Sequence, residues 1–99
     1  MTTADGWPFV DEPNLACITL RRVLSGDRPI LMVAHEPGEG GWQFLDGHAF
    51  AEEELAVVGL QQMVECDPSL MVLWDLPIGW MAVRDRTDTS WNRSKLTPN

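Results

Sequence analysis

Several side chains in this 99-residue chain are of the types that do chemistry. His35 and Glu36 end an apolar run, and His48 follows Asp46 across Gly47, with Glu52 close by. Drawn together, His35, His48, Asp46 and Glu52 would offer zinc or another divalent ion the three or four nitrogen and oxygen ligands it needs. Their spacing matches no structural-zinc pattern, which favours reading both histidines as ordinary loop or rim residues. A nucleophile would have to be Cys17 or Ser25 beside a histidine. Cys17 lies within Leu15-Ala16-Cys17-Ile18-Thr19, an apolar run where burial blunts a thiol, and Ser25-Gly26-Asp27 reads as a turn. Glu52-Glu53-Glu54 could pair carboxylates for acid–base work, but three acids in a row more often form a solvated helix start. Gly38-Glu39-Gly40-Gly41 has the glycine content of a phosphate-cradling loop, yet it lacks Lys and its acid repels phosphate. No catalytic residue, cofactor or metal site is therefore expected. A metal-binding or hydrolytic enzyme using His35 and His48 stands as the alternative reading.

The residue types point more strongly to recognition of another protein. Trp, Arg and Met are enriched in interface cores. Trp80 and Arg84 fall on one face of an alternating segment, with Arg86 next along it, and Trp42 lies nearby if the preceding strands pair as a hairpin. Core packing is the competing reading for both tryptophans and the first-ranked one for Trp42. Charge is distributed unevenly within a net of −8. Between Ile30 and Val83 there are nine acids (Glu36, Glu39, Asp46, Glu52, Glu53, Glu54, Glu65, Asp67, Asp75) and no Lys or Arg. Such a field repels nucleic acid and speeds encounter with a basic protein surface. Glu36, Glu39, Asp46, Glu52, Glu53 and Glu54 are the expected acidic face, and Trp80, Arg84 and Trp42 its apolar and cationic anchors. A hydrophobic edge strand would also allow sheet extension, so monomer, homodimer and a homo-oligomeric structural module all remain open.

The elements that must hold these residues follow from periodicity and punctuation. Leu15–Thr19 reads as a buried strand, and Leu20, Val23 and Leu24 as one or two helical turns with Thr19 as N-cap and Gly26 just past the end. Ile30–Ala34, apolar throughout, reads as a central strand. After the turn cluster Glu36–Gly41, Trp42–Leu45 should return antiparallel to it. Ala51–Glu65 divides into a turn at Ala51–Glu54, a strand at Leu55–Val58 and a helix at Leu60–Glu65, with one continuous helix as the alternative. Asp67-Pro68-Ser69 is a helix start, with Asp at the N-cap and Pro at N1. Pro77 suits the second position of a turn with Gly79 at its fourth, and Trp80–Arg86 reads as a closing edge strand. Residues 1–13 read as a flexible arm, 14–86 as a single folded domain and 87–99 as a flexible tail. The mixture lacks βαβ alternation. It implies α+β: a mostly antiparallel sheet of four or five strands with two or three short helices on one face. Cys17 and Cys66 read as free, buried thiols. Met1–Glu12 holds neither a basic n-region nor an apolar run, which points to the cytoplasm, and no stretch approaches the ~20 apolar residues of a membrane span.

The ordered set Ala16-Cys17-Ile18-Thr19, Val23-Leu24, Gly41-Trp42-Gln43-Phe44-Leu45-Asp46-Gly47, Val57-Val58-Gly59-Leu60, Asp67-Pro68 and Leu76-Pro77-Ile78-Gly79-Trp80-Met81-Ala82-Val83-Arg84 resembles a small bacterial domain-of-unknown-function family related to the immunity proteins of polymorphic toxin systems. The resemblance covers about residues 15–86. Members of that family show a Gly-Trp-Arg-Phe-Phe-x-Gly strand, an Asp-Pro before a short helix and a Pro-x-Gly-x-x-Phe-Glu-Arg close. Here Gln43 stands where a basic residue is common, Trp80 where a small one is common, and Val83-Arg84 replaces Glu-Arg. The departure from a small side chain leaves Trp80 more open to a surface role. The resemblance supplies no catalytic residues. It implies a cytoplasmic α+β domain that binds and neutralises a partner protein.

Overall fold

The computed structural model describes residues 7–38 and 41–96. In chain order the elements are β1 (Ala16–Leu20), α1 (Arg21–Leu24), β2 (Met32–His35), β3 (Trp42–Leu45), a 3-10 turn (Glu52–Glu54), β4 (Leu55–Gly59), α2 (Leu60–Cys66), a 3-10 helix (Pro68–Leu73), β5 (Trp80–Val83) and β6 (Asn92–Lys95). The class is α+β, with a six-stranded mixed sheet in the order β4-β1-β3-β2-β5-β6. Only the β1–β3 pairing is parallel; the other neighbours run antiparallel. The sheet thus has six strands where four or five were expected.

The all-apolar run does form a central strand. β2 lies between β3 and β5 and pairs with β3 as the short connection required, His35 opposite Trp42 and Met32 opposite Leu45. The regular strand starts at Met32 rather than Ile30. The Ile30 carbonyl accepts two hydrogen bonds from the Arg84 guanidinium (3.1 and 2.8 Å) and so is taken from the ladder. The stretch after Ala51 divides into turn, strand and helix as read, and the continuous-helix alternative fails. Leu60, Met63 and Val64 are the buried face of α2, and Leu70 and Leu73, one 3-10 turn apart, the buried face of the next helix. With Leu20, Val33, Phe44, Leu76 and Ala82 they make the core. Each fully buried Leu contributes about 1.5–3 kcal/mol of transfer free energy.

Local chemistry explains the other boundaries. Thr19 does not cap α1. It lies inside β1, and its hydroxyl donates to the Phe44 carbonyl at 2.7 Å across the parallel pair. Leu20 takes the N-cap position without a side-chain bond. Asp67 does cap, accepting from the Ser69 N–H at 3.1 Å with Pro68 in the first turn. The turn before β5 is displaced by one residue: the Trp80 N–H donates to the Pro77 carbonyl, which makes Gly79 the third residue, where φ of +89° is required.

Two terminal segments belong to the folded body, contrary to the arm and tail expected from their polarity. Phe9 is buried in the core, and the Pro13 carbonyl accepts from the Gln61 N–H at 2.7 Å. Asn92–Lys95 forms β6, which pairs with β5, so β5 is not an edge. All four residues of β6 are exposed, and Arg93 and Lys95 guard the edge as charges commonly do. A fully solvated strand carries no apolar periodicity, which is why its sequence reads as tail. The opposite edge, β4, carries neither charge nor Pro, and Val57 on it is exposed.

Candidate protein-binding cleft

Register divides the predicted site residues between two ends of the β2–β3 hairpin. His35 and Trp42 sit at one end. Leu45, and Asp46 after it, sit at the other. Three residue steps along the strands separate the ends, or about 10 Å at ~3.3 Å per residue.

At the Asp46 end, opposite charges neutralise one another. Asp46 is buried, and its carboxylate accepts from Arg22 Nε at 2.7 Å, Arg22 Nη2 at 3.1 Å and Arg28 Nε at 3.3 Å. Its Oδ1 also accepts from the His48 backbone N–H at 3.1 Å, across Gly47 at φ +82°. The Arg22 hydrogen bonds are the main cause of an Asp46 pKa lowered from 3.8 to about 2; burial pushes the other way, and the His48 N–H and Arg28 add to the lowering. The same carboxylate holds the Arg22 guanidinium above its ordinary pKa. Arg22 also pairs with Glu54. Arg84 belongs to this end too, since its N–H donates to the Leu31 carbonyl. It is 3% exposed; besides Ile30 it donates to Asp67 Oδ2 at 2.7 Å and Ser69 Oγ at 2.9 Å, and it stacks on Trp91 with its Cζ 4.1 Å from the ring centroid. A larger cleft, of about 490 Å³, opens beside Arg84, Trp91 and Arg93, but both arginines are spoken for: Arg93 donates to the Val72 carbonyl and pairs with Asp75.

At the His35 end the arrangement is open. His35 and Trp42, a direct cross-strand pair, stack with centroids 3.8 Å apart and planes 15° from parallel. Phe44 continues the stack, and Phe9 meets Trp42 edge-on. The Trp42 indole Nε1 donates to Asp11 Oδ2 at 2.7 Å, and His35 Nδ1 lies 2.7 Å from the Leu76 carbonyl. Above this stack lies a cleft of about 350 Å³. Its apolar walls include Val10, Trp74 and Ile78, its polar groups are Asp11, Asp75 and His35, and among the described residues no Lys or Arg lines it. Six large hydrophobic residues are exposed in the described chain, and three of them, Val10, Trp74 and Ile78, share this one cleft.

The predicted residues fare as follows. Arg84 is no exposed anchor, because a guanidinium with that many internal acceptors is a structural group. Trp42 is core at 2% exposure. Trp80 is half-buried and packs against the core, so it is not an exposed anchor either. Among the described residues the expected acids do not form a single face. Glu36 follows His35 at one end, Asp46 is buried and neutralised at the other, and Glu54 is paired with Arg22. Glu52 and Glu53 are exposed in their turn, and Glu39 lies outside the described residues. His35 and His48 stand at opposite ends of the hairpin, and among the described residues no three His, Cys, Asp or Glu side chains converge as metal ligands. Cys17 is buried, and its pKa is pushed up to about 12 by burial first and by Asp11 second. Cys66, expected to be buried, is exposed at the end of α2. Both thiols are free. Among the described residues no helix is long and apolar enough to cross a membrane.

Sequence reasoning missed the cleft's walls. Val10 falls in the expected arm and Ile78 in the expected turn, and Trp74 reads with Leu70 and Leu73 as the apolar face of the helix that starts at Asp67. One signal was available: Trp74-Asp75-Leu76-Pro77-Ile78 puts two large apolar residues around an acid and a proline, where no regular element can bury them all. Comparison with protein-family models, with curated proteins and with solved structures returns no match.

Proposed function

We propose that this chain is a non-enzymatic protein-binding module that receives a basic partner surface in the cleft at the His35 end of the hairpin. One observation carries the reading: half of the exposed large hydrophobic residues of the described chain gather around a single concave, acid-bearing site that no described Lys or Arg lines. Exposed apolar residues scattered singly are normal on a protein, whereas apolar residues grouped around a concavity with a polar rim mark a docking surface. Trp74 is the natural anchor, as a half-exposed aromatic at the mouth of a pocket. The carboxylates of Asp11 and Asp75, within a chain of net charge −8, set the preferred sign of the partner. The role fits the neutralising, immunity-like activity that the sequence resemblance implies, carried by different residues from the acidic face expected of the sequence.

The test is selection of binders from a displayed random-peptide library. Peptides recovered on the wild-type protein should combine apolar and basic residues, should associate more slowly as salt is added, and should lose binding to Trp74→Ala. Peptides that bind Trp74→Ala as well as wild type would place recognition elsewhere and end the reading.

A further inference from the structure

We infer that the cleft is an arginine pocket: the side chain a partner inserts beside Trp74 is a guanidinium, held by His35 Nε2 and the carboxylate of Asp11. The inference deepens the protein-binding reading and rests on it. It starts from His35, which is nine-tenths buried yet lines the cleft. A carbonyl oxygen can only accept, so the 2.7 Å contact with Leu76 makes Nδ1 the donor. In the neutral ring Nε2 is then an acceptor. Among the described residues no side chain or backbone group satisfies it, and the ring lines the cleft. Stacking on Trp42 and the bond to Leu76 fix the ring, so this acceptor is held in place before any ligand arrives.

Asp11 is placed in the same way. Its Oδ2 takes the Trp42 indole proton, and its Oδ1 meets no donor among the described residues. Asp75 adds a second negative charge, partly spent on Arg93 at 2.8 Å. A ligand for this site must therefore donate hydrogen bonds, carry positive charge and present an apolar stem to Trp74, Ile78 and Val10. Arginine meets all three demands. Its planar fork can donate to an imidazole nitrogen and a carboxylate at once and can stack on an indole, and it sheds water more readily than the ammonium of lysine. An acidic or phosphorylated segment would meet the carboxylates instead. The volume, about 350 Å³, is near the lower limit for ligand pockets and suits one side chain rather than a cofactor.

The experiment titrates N-acetyl-arginine-N-methylamide into the 15N-labelled wild-type protein and follows the indole Nε1–H signals of Trp42 and Trp74. Trp42 reports directly, because its indole proton lies on Asp11. The expected result is a saturable shift of both signals with a dissociation constant in the millimolar range. The citrulline and norleucine analogues should bind about tenfold more weakly, having lost the charge or the donors. Asp11→Asn keeps an acceptor for Trp42 and should weaken arginine about tenfold with the indole signals still dispersed. Arginine binding no better than citrulline or norleucine, or giving no saturable shift in the wild-type protein, overturns the assignment, as does undiminished affinity in a folded Asp11→Asn. These failures are separable from failure of the protein-binding reading: if selected peptides still depend on Trp74, the cleft binds protein but selects no guanidinium.

Discussion

Both ends of the β2–β3 hairpin carry carboxylates and put them to opposite use. At the Asp46 end, Arg22, Arg28, Asp46 and Glu54 form one network, and Arg84 and Asp67 form another. At the His35 end, two carboxylates, an imidazole and three exposed apolar residues surround open space. A buried charge is tolerable only when paired, and removing one partner leaves the other stranded. The Asp46 end is therefore a place where mutation costs stability. At the His35 end His35 Nδ1 and the Trp42 indole have their partners in Leu76 and Asp11, while Val10, Trp74 and Ile78 are exposed around the cleft. Substitutions on its surface should change binding and leave the fold alone.

The largest break in this contrast should come from Arg84→Met. It strips two hydrogen bonds from the Ile30 carbonyl and leaves Asp67 without its cation, at a cost of about 3–5 kcal/mol in denaturant unfolding. Trp80→Ala is next, at about 2–3 kcal/mol, because the half-buried indole packs on the core. That outcome would separate it from Trp74→Ala, a change at an exposed tryptophan that the proposal assigns to recognition.

Asp46→Asn keeps the shape of the network and removes its charge, and should cost about 1–2 kcal/mol at neutral pH. The pH dependence sharpens the assignment. The folded-state pKa of Asp46, about 2, lies below the ordinary 3.8, so its contribution is complete above about pH 4 and is lost as pH falls towards 2. Wild type and Asp46→Asn should converge in stability across that window, measured by unfolding at stepped pH. An unchanged gap down to pH 2 would mean that the carboxylate is not held by the arginines.

The smallest effects are expected at the cleft and at the thiols. Trp74→Ala should stay within about 0.5 kcal/mol of wild type, as surface changes usually do. A thiol reagent should label exposed Cys66 promptly and leave Cys17 unmodified until the protein unfolds. Rapid labelling of Cys17 in the native protein would show that β1 is not sealed.

How much of this the sequence made legible depends on how locally each feature is specified. The β2–β3 hairpin, the division of residues 51–66 and the Asp67 cap each follow from a few adjacent residues, and all were readable. β6 was not, because an exposed edge strand pairs through its backbone while its side chains remain solvated. The parallel β1–β3 contact was not, because register between strands distant in sequence leaves no local trace. For the site the limit was sharper. Trp80, Arg84 and Trp42 have interface-like types, but type does not decide burial. Arg84 finds its acceptors on Ile30, Asp67 and Ser69, and that convergence exists only once the chain folds. The acidic stretch was visible as composition, and the fold then dispersed it, sending Asp46 inward to Arg22 and leaving Glu36 at the far end of β2.

The central claim is that recognition resides at the His35 end and not at the Asp46 end. The direct measurement is the dissociation constant of one library-selected peptide, by calorimetry, for wild type and for two surface double variants. The first, Trp74→Ala with Ile78→Ala, alters the cleft. The second, His48→Ala with Phe50→Ala, alters exposed residues beyond Asp46. A hot-spot aromatic is worth 2 kcal/mol or more, so the first pair should weaken binding about thirtyfold or further. The second should leave it within about twofold. Equal affinity for the cleft variant and wild type, or a loss confined to the His48–Phe50 variant, would contradict the account.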